Sequence, residues 1–318
     1  MHRDFRRAVI TGGAGFLGSH LCEGLLRRGT SVLCLDNLST GSAENVEPLR
    51  ADPRFELAEH DIARQPVADE DVDLVVHMAS PASPEDYLRM PLETLQAGST
   101  GTVHALELAD RNPARFLLVS TSEVYGDPLR HPQSEDYWGN VNPVGPRAVY
   151  DEAKRFAEAV TTAYHASRGT ETRIARVFNS YGPRMRPDDG RVVSTFIRQA
   201  LRDEPITVNG DGSQTRSLCY VDDTVRGLLA VAGATRSAPV NIGRPGEVPV
   251  RVLAELIRDL VGSGSAIEHV AAKVDEPRRR CPDIAVATAE LGWWPSVGIT
   301  EGLRRTIGWF AGRVAEAG

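Results

Sequence analysis

The chain has 318 residues, 41% of them hydrophobic and 25% charged, with a formal net charge of −7. That length and apolar content suit one large α/β unit, or two domains sharing a core, and argue against a disordered chain. The acidic balance argues against wholesale binding to nucleic acid or an acidic membrane, and no apolar run approaches the ~18 residues of a membrane-spanning helix.

"MHRDFRRAVI" runs directly into a first strand, "AVIT", without the apolar region of a signal peptide. Next, "VITGGAGFLGSH" places Gly12, Gly15 and Gly18 in a GxxGxxG spacing between that strand and a helix in which Leu17, Leu21 and Leu25 recur at i+4, with Gly29 as its C-cap. Glycines there allow a tight turn and close approach of backbone to a pyrophosphate, while the helix N-terminus supplies N–H donors. The second strand, "SVLCLD", ends in Asp36, eighteen residues after Gly18. A carboxylate at that point accepts hydrogen bonds from an adenosine ribose and repels a 2′-phosphate, which favours NAD over NADP. Asp61 in "EHD", at the end of a third strand, either meets the adenine or caps a helix.

"DLVVHMA", "RFLLVS" and "ETRIARVF" are further candidate strands, nearly continuous in Val, Ile and Leu as expected when both faces are covered. Their alternation with helical periods predicts right-handed βαβ units and a Rossmann-type, doubly wound parallel sheet. After "RFLLVS" comes "STSEVYGDP", which puts Thr121, Ser122 and Glu123 at the end of a hydrophobic strand, where an unpaired charge is costly. Glu123 is there either for chemistry or as half of an ion pair with an arginine. "AVYDEAKRFAEAV" reads as a helix with Tyr150 and Lys154 at i,i+4 on one face. A tyrosine with a pKa near ~10 is a poor base, but a neighbouring ammonium and an oxidised nicotinamide both favour its phenolate. It then takes a proton from a substrate hydroxyl as hydride leaves the same carbon, with Thr121 fixing the direction of that hydroxyl.

Beyond Val177 the pattern loosens and Pro, Gly and Arg become frequent, with helices near 192–203, 250–261, 283–291 and 300–314 and short strands "PITV", "PVNIG" and "AIEHV". Residues 1–177 plus about 215–243 are assigned to the dinucleotide-binding domain, and 178–214 and 244–318 to a smaller C-terminal α/β substrate domain that lids the sheet. Cys22, Cys34, Cys219 and Cys281 are scattered, with no CxxC and no His/Cys ligand spacing. They read as free thiols in a reducing compartment, the cytoplasm, and no metal is expected.

TGGAGFLG, Thr121 and Tyr150-x-x-x-Lys154 together resemble the extended short-chain dehydrogenase/reductase family. "HMASPASPEDY", "STSEVYGDPLRHPQSEDYWGNVNPVGPR", "FNSYGPRMRPDDGRVVSTFIRQAL", "GDGSQTRSLCYVDD" and "RRRCPDI" narrow the likeness, over essentially the whole chain, to its UDP-glucuronic acid decarboxylase (UDP-xylose synthase) group. The resemblance implies oxidation of glucuronate at C4 with Tyr150 as base, Lys154 holding Tyr150 and the nicotinamide ribose, and Thr121 on the C4 oxygen. Loss of CO2, protonation at C5 and return of hydride to C4 follow, with Ser122 and Glu123 positioning substrate and water near C5. The cofactor contacts it implies add Phe16, Leu17, Asn37, Ile62 and Ala79 to the glycines, Asp36 and Asp61. For the sugar nucleotide it implies Pro81, Tyr87, Asn179, Arg191, Arg216 and Arg280, with Val192 and Val193 against the uracil, and Tyr87 is equally readable as a packing residue. Family members pair through two long helices into a four-helix bundle, here near 92–111 and 148–168. The chain departs from the group's pattern where Asn209 replaces an aromatic beside the nucleotide and where Gly98 stands in place of an asparagine that commonly supports the fourth strand; "VYDEAKR" and "FNSYG" also differ from the usual "CYDEGKR" and "FNTYG", with small expected effect.

Overall fold

Residues 4–271 and 279–316 are described by the computed structural model. The first half runs β1 (Arg7–Thr11), α1 (Phe16–Leu26), β2 (Ser31–Asp36), β3 (Phe55–Glu59), β4 (Leu74–His77), α2 (Pro84–Arg89), α3 (Pro91–Gln96), α4 (Thr102–Arg111), β5 (Arg115–Thr121), α5 (Ala148–Arg168) and β6 (Thr172–Val177). The second half adds β7 (Ser180–Tyr181), α6 (Val192–Leu201), β8 (Ile206–Asn209), β9 (Thr215–Ser217), β10 (Cys219–Tyr220), α7 (Val221–Gly233), β11 (Val240–Ile242), β12 (Glu247–Pro249), α8 (Val250–Val261), β13 (Ile267–Val270), α9 (Ala285–Leu291) and α10 (Ile299–Glu316).

Seven strands form one sheet in the order β11-β6-β5-β4-β1-β2-β3, parallel at every pairing. Successive side chains of each inner strand enter opposite layers: Ile10, Val76, Leu117 and Val119 join the core beside α1 and α7, while Val9, Val75, Phe116 and Leu118 join the core with Leu106 and Ala157. Burial on both faces is why these strands read as continuous apolar runs rather than alternating ones. Strand order reverses between β1 and β4, which opens a crevice beyond their C-terminal ends.

The expected doubly wound sheet is present, with local differences. A single helix near 92–111 is instead α3 and α4 joined by a π-helical turn, Ala97–Gly101. A Cβ at Gly98 would lie 2.6 Å from the Ala153 Cβ, so the absent side chain lets this turn press against α5. α6 stops at Leu201 rather than 203, and α9 begins at 285 rather than 283. The pairs β7/β10 and β9/β12 were not foreseen, since strands of two or three residues are too short to show a period. With β8/β13 they form three small sheets outside the main one. Among the described residues no helix is long and apolar enough to cross a membrane.

Candidate active site

The β1–α1 loop and the first turn of α1 admit only glycine at positions 12 and 18. Gly12 has φ +72° and its Cβ would stand 2.8 Å from the Ala79 backbone, while a Cβ at Gly18 would stand 2.7 Å from the Gly13 Cα. The first turn of α1 therefore rests on the loop, and its N-cap Gly15 has no side chain to satisfy the free N–H groups. That arrangement fits a pyrophosphate, which would take those donors and the positive end of the helix dipole. Gly18→Ala is expected to abolish NAD binding in calorimetry and to cost about 1–3 kcal/mol of stability through overpacking.

Asp36 closes the loop from β2. Its Oδ2 accepts the Ala14 N–H at 2.9 Å and its Oδ1 the Leu38 N–H at 2.9 Å, and burial raises its pKa against those bonds. Each oxygen keeps a lone pair for a ribose hydroxyl. Asn37 donates to Asp61 Oδ2 at 3.3 Å, and Asp61 Oδ1 accepts the Ala63 N–H at 3.0 Å. Asp61 thus caps a turn, not a helix, while still lining the crevice. Phe16, Leu17, Ile62 and Ala79 line it too, and one cleft of about 1240 Å³ continues from them past Tyr150 to Arg280.

Tyr150 lies in the first turn of α5, with Lys154 one turn on, both buried. The Lys154 Nζ donates to the Val119 carbonyl at 3.0 Å and sits 6.0 Å from the Tyr150 ring centroid. Burial depresses the Lys154 pKa to about 8, opposed by Glu158. Burial, then the Glu123 charge, pushes Tyr150 up to about 12, while a hydrogen bond with Thr121 and the Arg191 charge act the other way. Burial thus favours the neutral phenol, against the opposing pull of Thr121 and Arg191. The folded state gives up the Lys154 proton near pH 8 and the unfolded chain near 10.5, so the cost of the buried charge is full below 8 and fades between 8 and 10.5. Without dinucleotide, Lys154→Met is therefore expected to be more stable than the parent at pH 7, by on the order of 3 kcal/mol. Denaturant titrations at rising pH should show that gap closing.

Glu123 receives two arginines. Arg147 and Arg280 both donate to its Oε2, the latter at 2.9 Å, and Arg280 also donates to the Ser122 carbonyl. Arg280 is almost wholly buried, its side chain 2% exposed. Burial would raise the Glu123 pKa, but the Arg280 and Arg147 guanidiniums bring it below the ordinary value. The ion pair envisaged from the sequence is present, and Glu123, Arg147 and Arg280 all line the cleft. Arg147 was missed. Its signal was available: it occupies the N-cap of α5, where a cation opposes the helix dipole. Asp151 was missed as well; burial, then the Glu123 charge, raises its pKa, and its Oδ1 is buried with no hydrogen-bond partner.

Tyr87 from α2 stacks on Tyr150 with centroids 5.3 Å apart and rings 10° from parallel, so it does pack. Its hydroxyl is buried with no partner, which leaves a polar group for a ligand. Pro81, Asn179 after β6, Arg191 at the N-cap of α6, Val192, Val193 and Asn209 also line the cleft, as does Arg216 from β9. The loop before α6 is latched to α2 by Arg186, whose Nη2 donates to Asp86 at 2.6 Å. Every site residue expected from the sequence is thereby either on the cleft wall or bonded to it.

The model of the NAD dependent epimerase/dehydratase family matches residues 8–243. UDP-glucuronic acid decarboxylase 1 of Arabidopsis thaliana is 50% identical over 97% of this chain and 70% of its own length. The decarboxylase of the same name from Xenopus tropicalis is 51% identical over 97% and 73%. Among solved structures, UDP-glucuronic acid 4-epimerase from Bacillus cereus, in complex with UDP-glucuronic acid and NAD, superposes with a TM-score of 0.86 at 27% identity, covering 96% of this chain and 99% of that one. The chain belongs to the NAD dependent epimerase/dehydratase family of extended short-chain dehydrogenase/reductases, and its kinship within that family is with the UDP-glucuronic acid decarboxylases.

Proposed function

We propose that this chain is a UDP-glucuronate decarboxylase that keeps its NAD through the cycle and releases UDP-xylose. The observation that carries the reading is the placement of two guanidiniums, Arg147 and Arg280, in the same cleft as Tyr150 and Thr121, alongside kinship at half identity with decarboxylases of that name. Bound NAD supplies the acceptor for the C4 hydride and later its donor.

The glycine loop, Asp36, Asn37 and Asp61 would hold the dinucleotide, and Lys154 would reach its ribose and Tyr150. Tyr150 takes the proton from the C4 hydroxyl while Thr121 orients that oxygen. The resulting ketone is β to the C6 carboxylate, so CO2 leaves with its bonding electrons passing through C5 to the C4 oxygen. Tyr150 and Thr121, both at that oxygen, stabilise the enolate as hydrogen-bond donors. Arg280 orients the carboxylate before it departs, and Glu123 with Ser122 places the water that protonates C5. A serine hydroxyl at 122 is too weak an acid to expel a sugar hydroxyl, which disfavours a 4,6-dehydratase. Arg191 and Arg216 bind the diphosphate with Asn179, their fork geometry suiting its paired oxygens. The base lies against Val192 and Val193, with Asn209 nearby.

We assign cofactor binding to residues 1–177 plus about 215–243 and nucleotide-sugar binding to 178–214 and 244–318. Leu92, Leu95 and Phe156 expose apolar surface on α3 and α5, which supports pairing of two copies through a four-helix bundle. We place the enzyme in the cytoplasm. Incubation with UDP-glucuronate and NAD, followed by mass spectrometry and absorbance of reduced cofactor, tests the reading. The expected product is lighter by one CO2 with no lasting NADH. A product of unchanged mass would make the chain a 4-epimerase, and stoichiometric NADH would make it a decarboxylase that releases the 4-keto pentose.

A further inference from the structure

Behind the wall that bears Arg216 and Arg280 lies a second polar cluster. Arg216 of β9 and Arg280 line the cleft. Their chain neighbours Thr215, Ser217, Arg279 and Cys281 turn to the opposite side, as alternation along extended backbone requires, and meet His131 and Glu247 there. The His131 Nε2 is 3.0 Å from the Glu247 Oε2, and a ligand atom from each of His131, Glu247 and Cys281 falls within 4.8 Å of the other two. Among the described residues this is the one group of three or more His, Cys, Asp or Glu side chains that converges so closely. Glu247 is braced from behind, where the Thr215 hydroxyl donates to its Oε1. Metal ligands are characteristically oriented by such partners.

A cation already holds the centre. The Arg279 Nη2 lies 2.8 Å from His131 Nε2 and 3.2 Å from Glu247 Oε2. A guanidinium only donates, so the imidazole nitrogen facing it presents its lone pair, the orientation a metal needs. Two acceptors 3.0 Å apart repel each other unless a positive charge lies between them.

We propose that His131, Glu247 and Cys281 form a binding site for a divalent transition metal of the zinc class, which displaces Arg279 and keeps one coordination position for water. Thiolate, carboxylate and imidazole suit such an ion, and tetrahedral zinc with bonds of 2.0–2.3 Å holds its ligand atoms about 3.3–3.7 Å apart, so the His131–Glu247 pair would open slightly from 3.0 Å while the Cys281 sulfur, within 4.8 Å of both, would close by about 1 Å at most. The Cys281 thiol releases its proton to solvent as the sulfur–metal bond forms. Arg279, 57% exposed, passes into water at little cost. The ion would tie the loop at 131, β12 and the segment 279–281 together on the reverse of the wall holding Arg216 and Arg280.

The test is titration of the full chain, stripped of metal by a chelator, first with Co2+ and then with Zn2+. One equivalent of Co2+ is expected to raise a thiolate-to-cobalt charge-transfer band that Zn2+ bleaches. Cys281→Ser should lose the band, and His131→Ala should weaken Co2+ binding by about 10-fold or more. Arg279→Ala should tighten it, because the competing cation is gone. Absence of the band in the parent, its persistence in folded Cys281→Ser, or weaker binding in Arg279→Ala would each overturn the proposal. If Cys281→Ser does not fold, His131→Ala at its exposed position decides: unchanged Co2+ affinity refutes the site.

Discussion

Tyr150→Phe is expected to lower kcat on UDP-glucuronate by about 10²- to 10⁴-fold, the usual contribution of a positioned general base. The ring stays stacked on Tyr87, and the phenol's hydrogen bond to Thr121 is the polar contact removed, so the fold should survive. Circular dichroism and NAD affinity are expected to match the parent. A fall of less than tenfold with NAD still bound would mean that another group accepts the C4 proton.

Glu123→Gln should affect both stability and turnover. The amide keeps the shape of the carboxylate, but buried Arg280 and part-buried Arg147 lose the charge between them, which leaves Asp151 as a more weakly placed counter-charge. Breaking a buried pair in this way costs on the order of 3 kcal/mol. The Glu123 pKa is lowered in the fold, so its stabilisation is present above the unfolded value of 4.5 and is lost as pH falls through the folded pKa. Urea midpoints of parent and variant should accordingly differ at pH 7 and converge under acid. For turnover, kcat should fall by about 10²-fold or more with KM changed less, as for an interaction made in the transition state. Equal stability of the two proteins at pH 7 would show that the arginines find other partners and that the clamp is not held by Glu123.

The inner strands were legible because β1, β4 and β5 are buried on both faces, which writes uninterrupted Val, Leu and Ile into the chain. The glycine loop, Asp36 and the Tyr150/Lys154 pair were legible because their chemistry is local, set by spacings of a few residues to some twenty. What escaped was which groups meet from afar, including the arginines that pair with Glu123. Arg147 meets Glu123 across 24 positions, and Arg280 meets it across 157. The cluster of His131, Glu247 and Cys281 has no ligand spacing at all, because a three-residue strand pair and one bridge at Gln133–Pro282 bring the pieces together. The expectation that the scattered cysteines stand apart from any metal ligand set rested on that missing spacing. The break at Ala97–Gly101 was hidden for another reason: glycine lowers helix propensity without specifying which irregular turn results.

The central claim, that hydride lent at C4 comes back to the same carbon after CO2 has gone, is tested most directly with UDP-glucuronate deuterated at C4. The product is predicted to be a pentose nucleotide that retains the C4 deuterium and carries one hydrogen from solvent at C5. Loss of the C4 label to the medium, or recovery of the label in a sugar that still bears its carboxylate, would contradict it.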